Sequence, residues 1–195
     1  MPLTSNITSH HGCFNKIAAE TPTVTLPRIK ALTSGSVPQF IDLVLNLAST
    51  EILEDSLIHS AFSKNKRIVF YGDDTWLKLF PNFFARYEGT NSFFVRDFKE
   101  VDDNVTRNVI DELNKQDWDI MILHYLGLDH IGHVYGPYSS LVPKKLEEMD
   151  TIIYDIYTKM MSRNEKTLLL ITGDHGMKDS GGHGGSTYSE TYAPY

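Results

Sequence analysis

Cysteine is nearly missing from this chain: Cys13 is the single one in 195 residues, so no internal disulfide can form. That suits a reducing compartment, and equally an oxidising one in which the domain needs no staple. Long apolar runs are missing as well, and nothing approaches the ~20 consecutive apolar residues that a membrane-spanning helix needs. The opening MPLTSNITSHHG has neither a charged leader nor an apolar core, so no secretory signal is readable in it. Basic charge is scarce. Lys and Arg number 18 against 25 Asp and Glu, a net charge of −7, and no basic cluster occurs that would grip nucleic-acid phosphate. Repeats and low-complexity tracts are absent.

What is present is the composition of one globular core, 41% hydrophobic and 22% charged. Three short apolar runs, RIVFYG (67–72), DIMILHYL (119–126) and TLLLITG (167–173), have the pattern of parallel strands covered on both faces. Helical patterns lie between them: PQFIDLVLNLAS and EILEDSLIHSAFSKN across 38–65, then DDNVTRNVIDELNKQ with an acidic start at Asp102 and Asp103. The clearest helix covers about 142–162, where Leu146, Met149, Ile153, Ile156 and Met160 recur at three or four and form a core-facing stripe. Strands alternating with helices predict an α/β fold with a parallel sheet, whose ligands sit beyond the carboxyl ends of the strands. Two N-x-[ST] sequons, at Asn6 and Asn104, support a lumenal setting only weakly.

Two of the three runs end in metal-type residues. GLDHIGHVYGP, after 119–126, carries Asp129, His130 and His133; DHGMKDSGGHGG, after 167–173, carries Asp174, His175 and His183. A lone histidine on an apolar segment is usually a packed core residue. Here carboxylates and imidazoles gather at equivalent strand ends, the donor set that Zn²⁺ accepts. Without a cation, clustered carboxylates repel one another.

Upstream, TPTVTLPRIKALTSG (21–35) places Thr25 two residues before Pro27, in front of a short helix closed by Gly35. A helix N-terminus attracts an anion such as phosphate, and a hydroxyl there is a nucleophile candidate where a metal lies nearby. The competing reading is that Thr25, or Thr23, merely caps the helix.

The order PTxTxP…TG, then DHxGH, then GDHGM…GxHG resembles the alkaline-phosphatase-like superfamily of two-zinc phosphotransferases. Within it, PTVTLPRIKALTSGSVP, FYGDDTWLKLFP, SFFVRDF, VDDNVTR and LHYLGLDHIGHVYGP are similar to the glycosylphosphatidylinositol (GPI) ethanolamine phosphate transferases, most of all the type 2 group, which modifies the second mannose. The resemblance covers about 15–192. It implies a three-layer sandwich with a mostly parallel central sheet. It also implies that Thr25 is the nucleophile, that Asp129, His133 and His183 hold one zinc, and that Asp174 and His175 belong to a second. His130 has no ligand role in that pattern and is expected to orient a neighbour or the phosphate. Asp73, Asp74 and Trp76 are substrate-side candidates, Asp74 as a partner for a histidine and Trp76 as a platform for a sugar. The implied donor is phosphatidylethanolamine and the acceptor a mannose of a GPI precursor. The implied setting is the lumenal side of the endoplasmic reticulum membrane, with a membrane partner subunit.

The superfamily opens with an apolar strand whose terminal Asp ligates the second zinc, and no such element precedes Thr25 here. Met1 therefore reads as an internal start and Tyr195 as an early stop, with 1–20 an ill-defined segment and 21–195 a partial catalytic domain. One impaired zinc site and marginal stability are expected. The rival readings are a phosphodiesterase or phosphatase with water as acceptor, and a non-catalytic fragment that only binds.

Overall fold

A computed structural model describes residues 1–37, 51–52, 54–115, 117–163 and 165–195; the helix expected over 38–49 lies outside them. In chain order the elements are α1 (Pro2–His11), β1 (Lys16–Ala18), α2 (Thr25–Ser34), α3 (Leu57–Ser63), β2 (Ile68–Asp73), α4 (Thr75–Leu79) and β3 (Arg86–Thr90). Then follow α5 (Glu100–Lys115), β4 (Ile120–His124), α6 (Gly127–Tyr135), α7 (Leu141–Met161), α8 (Tyr188–Thr191) and β5 (Tyr192–Pro194). No described helix is long and apolar enough to cross a membrane.

The central sheet is parallel, in the order β3-β2-β4. Every residue of β2 is buried, as a strand between two neighbours and two helix layers must be. Its side chains alternate. Ile68 and Phe70 join Ile29, Ile58, Trp76, Leu79 and Phe80 in one core, whereas Val69 and Tyr71 join Val105, Val109, Leu113, Ile156 and Met160 in the other. The result is three layers, with α2, α3 and α4 on one face and α5 and α7 on the opposite one. The predicted stripe on α7 holds, since Ile153, Ile156 and Met160 are buried. Gly35, the predicted stop of α2, takes a left-handed φ of 69° and returns its N–H to the Ala31 carbonyl at 2.9 Å.

One expected strand does not form. Residues 167–173 join no ladder, and Leu168 and Leu170 are 85% and 58% exposed. Among the described residues β4 pairs with β2 alone. At its far end the Gly173 amide donates to the Pro194 carbonyl of β5 at 3.0 Å, but the run pairs in register with neither β4 nor β5, and apolar composition alone cannot make a ladder. Leu169 still packs on the second core. Residues before Thr25 contact the rest of the chain: Asp150 of α7 accepts bonds from the Leu3 and Thr4 amides at the start of α1, and β1 pairs antiparallel with β5.

Candidate metal centre

β4 ends at His124, and α6 begins three residues later at the carboxyl edge of the sheet. Asp129 and His133 sit one helical turn apart on α6 and so share a face. His183 arrives from the loop before α8. One ligand atom from each of Asp129, His133 and His183 lies within 4.8 Å of the others, the one such trio among the described residues. His133 Nε2 is 3.4 Å from Asp129 Oδ2, and His183 Nε2 is 3.6 Å from Asp129 Oδ1.

The trio suits a cation. Asp129 Oδ1 is buried and has no hydrogen-bond partner among the described residues, the kind of orphaned acceptor that needs an explanation. Burial by itself would raise the Asp129 pKa, but the bond from His133 and the nearby His183 and His175 hold it below the ordinary carboxylate range. The Asp129 bond raises the His133 pKa. Burial, and then His175, pushes that of His183 down. A retained carboxylate beside an imidazole disposed to stay neutral is a zinc-type donor set, and three protein ligands leave a fourth position for a substrate oxygen.

Asp174 and His175 lie alongside. The His175 ring stacks on His183 with centroids 3.7 Å apart, and its Nε2 is 3.4 Å from Asp174 Oδ2. Thr25 opens α2, whose N-cap is Val24 and carries no side-chain cap bond. Its hydroxyl makes no hydrogen bond among the described residues, so it does not cap. The segment is held from both sides: the Thr23 carbonyl faces His183 Nδ1 at 2.6 Å, and Arg28 Nε donates to the Asp174 carbonyl at 2.7 Å. The structure thus draws the Thr25 segment and both ligand turns to one place.

Four other candidates stand elsewhere. His130 is buried, with Nδ1 2.7 Å from the Asp97 carbonyl and Nε2 3.1 Å from that of Ser92, so it ties the 92–97 loop to α6 and does not face a phosphate. Asp73 Oδ1 accepts the Thr75 amide at 2.9 Å. Asp74, expected to meet a histidine, pairs with Lys78 at 2.9 Å. Trp76, expected to stack on a sugar, is only 8% exposed and stacks on Phe70. It is Trp76 that meets a histidine, its indole N–H donating to His124 Nδ1 at 3.0 Å. The GDDTW motif is built into the core because it follows directly on the most buried strand. Thr23, Arg28 and Asp102 were not singled out as site residues from sequence. Only Thr23 gave a signal, as the alternative hydroxyl in PTVT.

Two solved structures share the fold. Phosphonoacetate hydrolase from Sinorhizobium meliloti 1021, in complex with phosphonoformate, superposes with a TM-score of 0.65 at 15% identity, over 91% of this chain and 51% of that one. The C-terminal periplasmic domain of EcEptC from Escherichia coli, a zinc complex, superposes with a TM-score of 0.61 at 12% identity, over 100% and 65%. The fold is therefore that of the alkaline-phosphatase-like phosphoesterases. The chain belongs to the type I phosphodiesterase / nucleotide pyrophosphatase family, whose model matches residues 55–193. Among curated relatives it is 51% identical to the human GPI ethanolamine phosphate transferase 2, catalytic subunit, over the whole of this chain and 20% of the relative. It is 50% identical to GPI ethanolamine phosphate transferase 2 of Schizosaccharomyces pombe, over 99% of this chain and 27% of the relative. The chain thus spans about a quarter or less of the length of these relatives.

Proposed function

We propose that the chain carries the catalytic centre of a GPI ethanolamine phosphate transferase, acting on the lumenal side of the endoplasmic reticulum membrane with a membrane partner subunit. It moves phosphoethanolamine from phosphatidylethanolamine to the second mannose of a GPI precursor. The observation that carries the reading is the convergence of Asp129, His133 and His183 around an unpartnered carboxylate oxygen, beside the helix that Thr25 opens.

Asp129, His133 and His183 would hold one zinc, and Asp174 and His175 contribute to a second. Bound zinc supplies positive charge for the phosphoryl oxygens and eases loss of a hydroxyl proton. The chain's own residues do the rest. The Thr25 hydroxyl, uncommitted to any hydrogen bond among the described residues, attacks the donor phosphorus; the bond to the diacylglycerol oxygen breaks, and that oxygen takes up the proton. The Thr25 and Leu26 N–H groups, first in α2 and without a carbonyl one turn back, face the anion. The mannose hydroxyl oxygen then attacks phosphorus, the bond to the Thr25 oxygen breaks, and that oxygen takes back a proton as the mannose hydroxyl gives one up, so the site is used twice.

The zinc-loaded chain incubated with phosphatidylethanolamine and a mannoside tests this. Phosphoethanolamine on the mannoside is expected, and Thr25→Ala should abolish it. Free phosphoethanolamine alone would favour the phosphodiesterase reading that the family description suggests. No release from either substrate would leave a binding role only.

A further inference from the structure

Thr23 makes three hydrogen bonds to the turn that carries the third ligand. Its hydroxyl donates to the Gly185 carbonyl at 2.9 Å and accepts from the Gly184 amide, also at 2.9 Å. Its own carbonyl faces His183 Nδ1 at 2.6 Å. Thr23 is fully buried, so water does not compete for these bonds. The hydroxyl is therefore used once as donor and once as acceptor, on the two residues that follow the ligand.

A carbonyl oxygen only accepts. The contact at 2.6 Å thus requires the hydrogen of His183 to sit on Nδ1, which leaves the lone pair on Nε2. Nε2 is the nitrogen that lies 3.6 Å from Asp129 Oδ1 in the ligand trio. Partners behind a ligand histidine commonly fix its tautomer and ring direction in this way. Here the partner is two residues from the candidate nucleophile, so one residue sets the ring direction and the spacing between Thr25 and the metal ligands.

We propose that Thr23 is a positioning residue: its hydroxyl clamps the 184–185 backbone so that its carbonyl holds His183 as the Nδ1–H tautomer, with Nε2 presented to the cation. The proposal rests on the metal reading of the trio. It differs from a purely structural role, because the hydroxyl and not the methyl is required.

Two measurements test it on this chain. The first is a cobalt(II) titration followed by the visible d–d absorption. Thr23→Val keeps the shape and loses both hydroxyl bonds, and cobalt affinity should fall about 10–100-fold with an altered spectrum. Thr23→Ser keeps the hydroxyl and should restore both. Wild-type affinity and spectrum in Thr23→Val, or equal weakening in both variants, would overturn the proposal. The second is ring ¹H–¹⁵N correlation NMR of the metal-free wild-type chain, which should show His183 protonated on Nδ1. Protonation on Nε2 would overturn the proposal even where the valine variant does not fold. If the wild-type chain takes up no cobalt, the metal reading fails, and the tautomer alone decides the part of Thr23.

Discussion

Glu112 shows at the residue scale how this chain handles buried charge. Its carboxylate is fully buried, and the Arg86 hydrogen bond, against the cost of burial and with help from Lys115 and Tyr71, holds its pKa down at about 2. A carboxylate depressed in the folded state stabilises fully above its unfolded pKa of ~4.3, and that contribution is lost as pH falls towards the folded value. Tyr71 has the opposite sign. Burial first, then Glu112, pushes it up to about 12, so its contribution is complete below the unfolded value of ~10 and disappears as pH rises. Glu112→Gln should cost about 3 kcal/mol near neutral pH, because Arg86 is left partly unpaired, and should flatten the acid limb of stability. Urea denaturation from pH 7 to pH 2 measures both. At the centre itself, His133→Ala should weaken zinc binding strongly without unfolding the chain, since His133 is exposed on α6, and calorimetry reads the loss. Asp129, His133 and His183 were legible in sequence because each follows an apolar run at ligand spacing. Thr23 was not, because its hydroxyl partners lie 161 and 162 positions further on.

Among the elements, α6 depends on Asp102 for its start. The Asp102 carboxylate accepts the Leu126 and Gly127 amides at 3.0 and 2.9 Å, and Lys145 of α7 brings its ammonium to 3.1 Å. Three helices therefore meet at one buried charge pair. A Cβ on Gly127 would run into that carboxylate, so the close approach requires glycine there. Sequence places Asp102 in the first turn of a helix, where an acidic residue suits the helix dipole, and so hides its second task. Asp102→Asn should destabilise the chain by about 3 kcal/mol, and it should also lower zinc affinity, because the helix bearing Asp129 and His133 loses its anchor. A loss of stability with zinc binding unchanged would show that α6 is placed by other contacts. The 167–173 run teaches the complementary lesson. Its apolar pattern is strand-like, and the ligands that follow it are placed with the others. Yet a strand also needs a neighbour, and periodicity does not show one.

For the molecule as a whole, two helical layers cover a narrow sheet whose edges, among the described residues, are β3 and β4. The side chains of β4 are all half-buried, in contrast with those of β2. Amide hydrogen exchange should therefore be slowest in β2 and fast at the β4 amides that point away from it; uniform protection across β4 would mean that this edge is covered. Asn6 is exposed on α1, whereas Asn104 is half-buried and gives its amide to Glu88, so a glycan on the second sequon would cost that contact. The layered α/β class followed from the alternation of runs, while the width of the sheet depends on which strands find partners.

The most direct measurement is zinc calorimetry on the purified chain, combined with anomalous diffraction at the zinc edge. The expected result is a tight equivalent bound between Asp129, His133 and His183, lost in the His133→Ala variant, with Thr25 next to the ion. Absence of zinc from that trio, or binding indifferent to His133, would contradict the assignment.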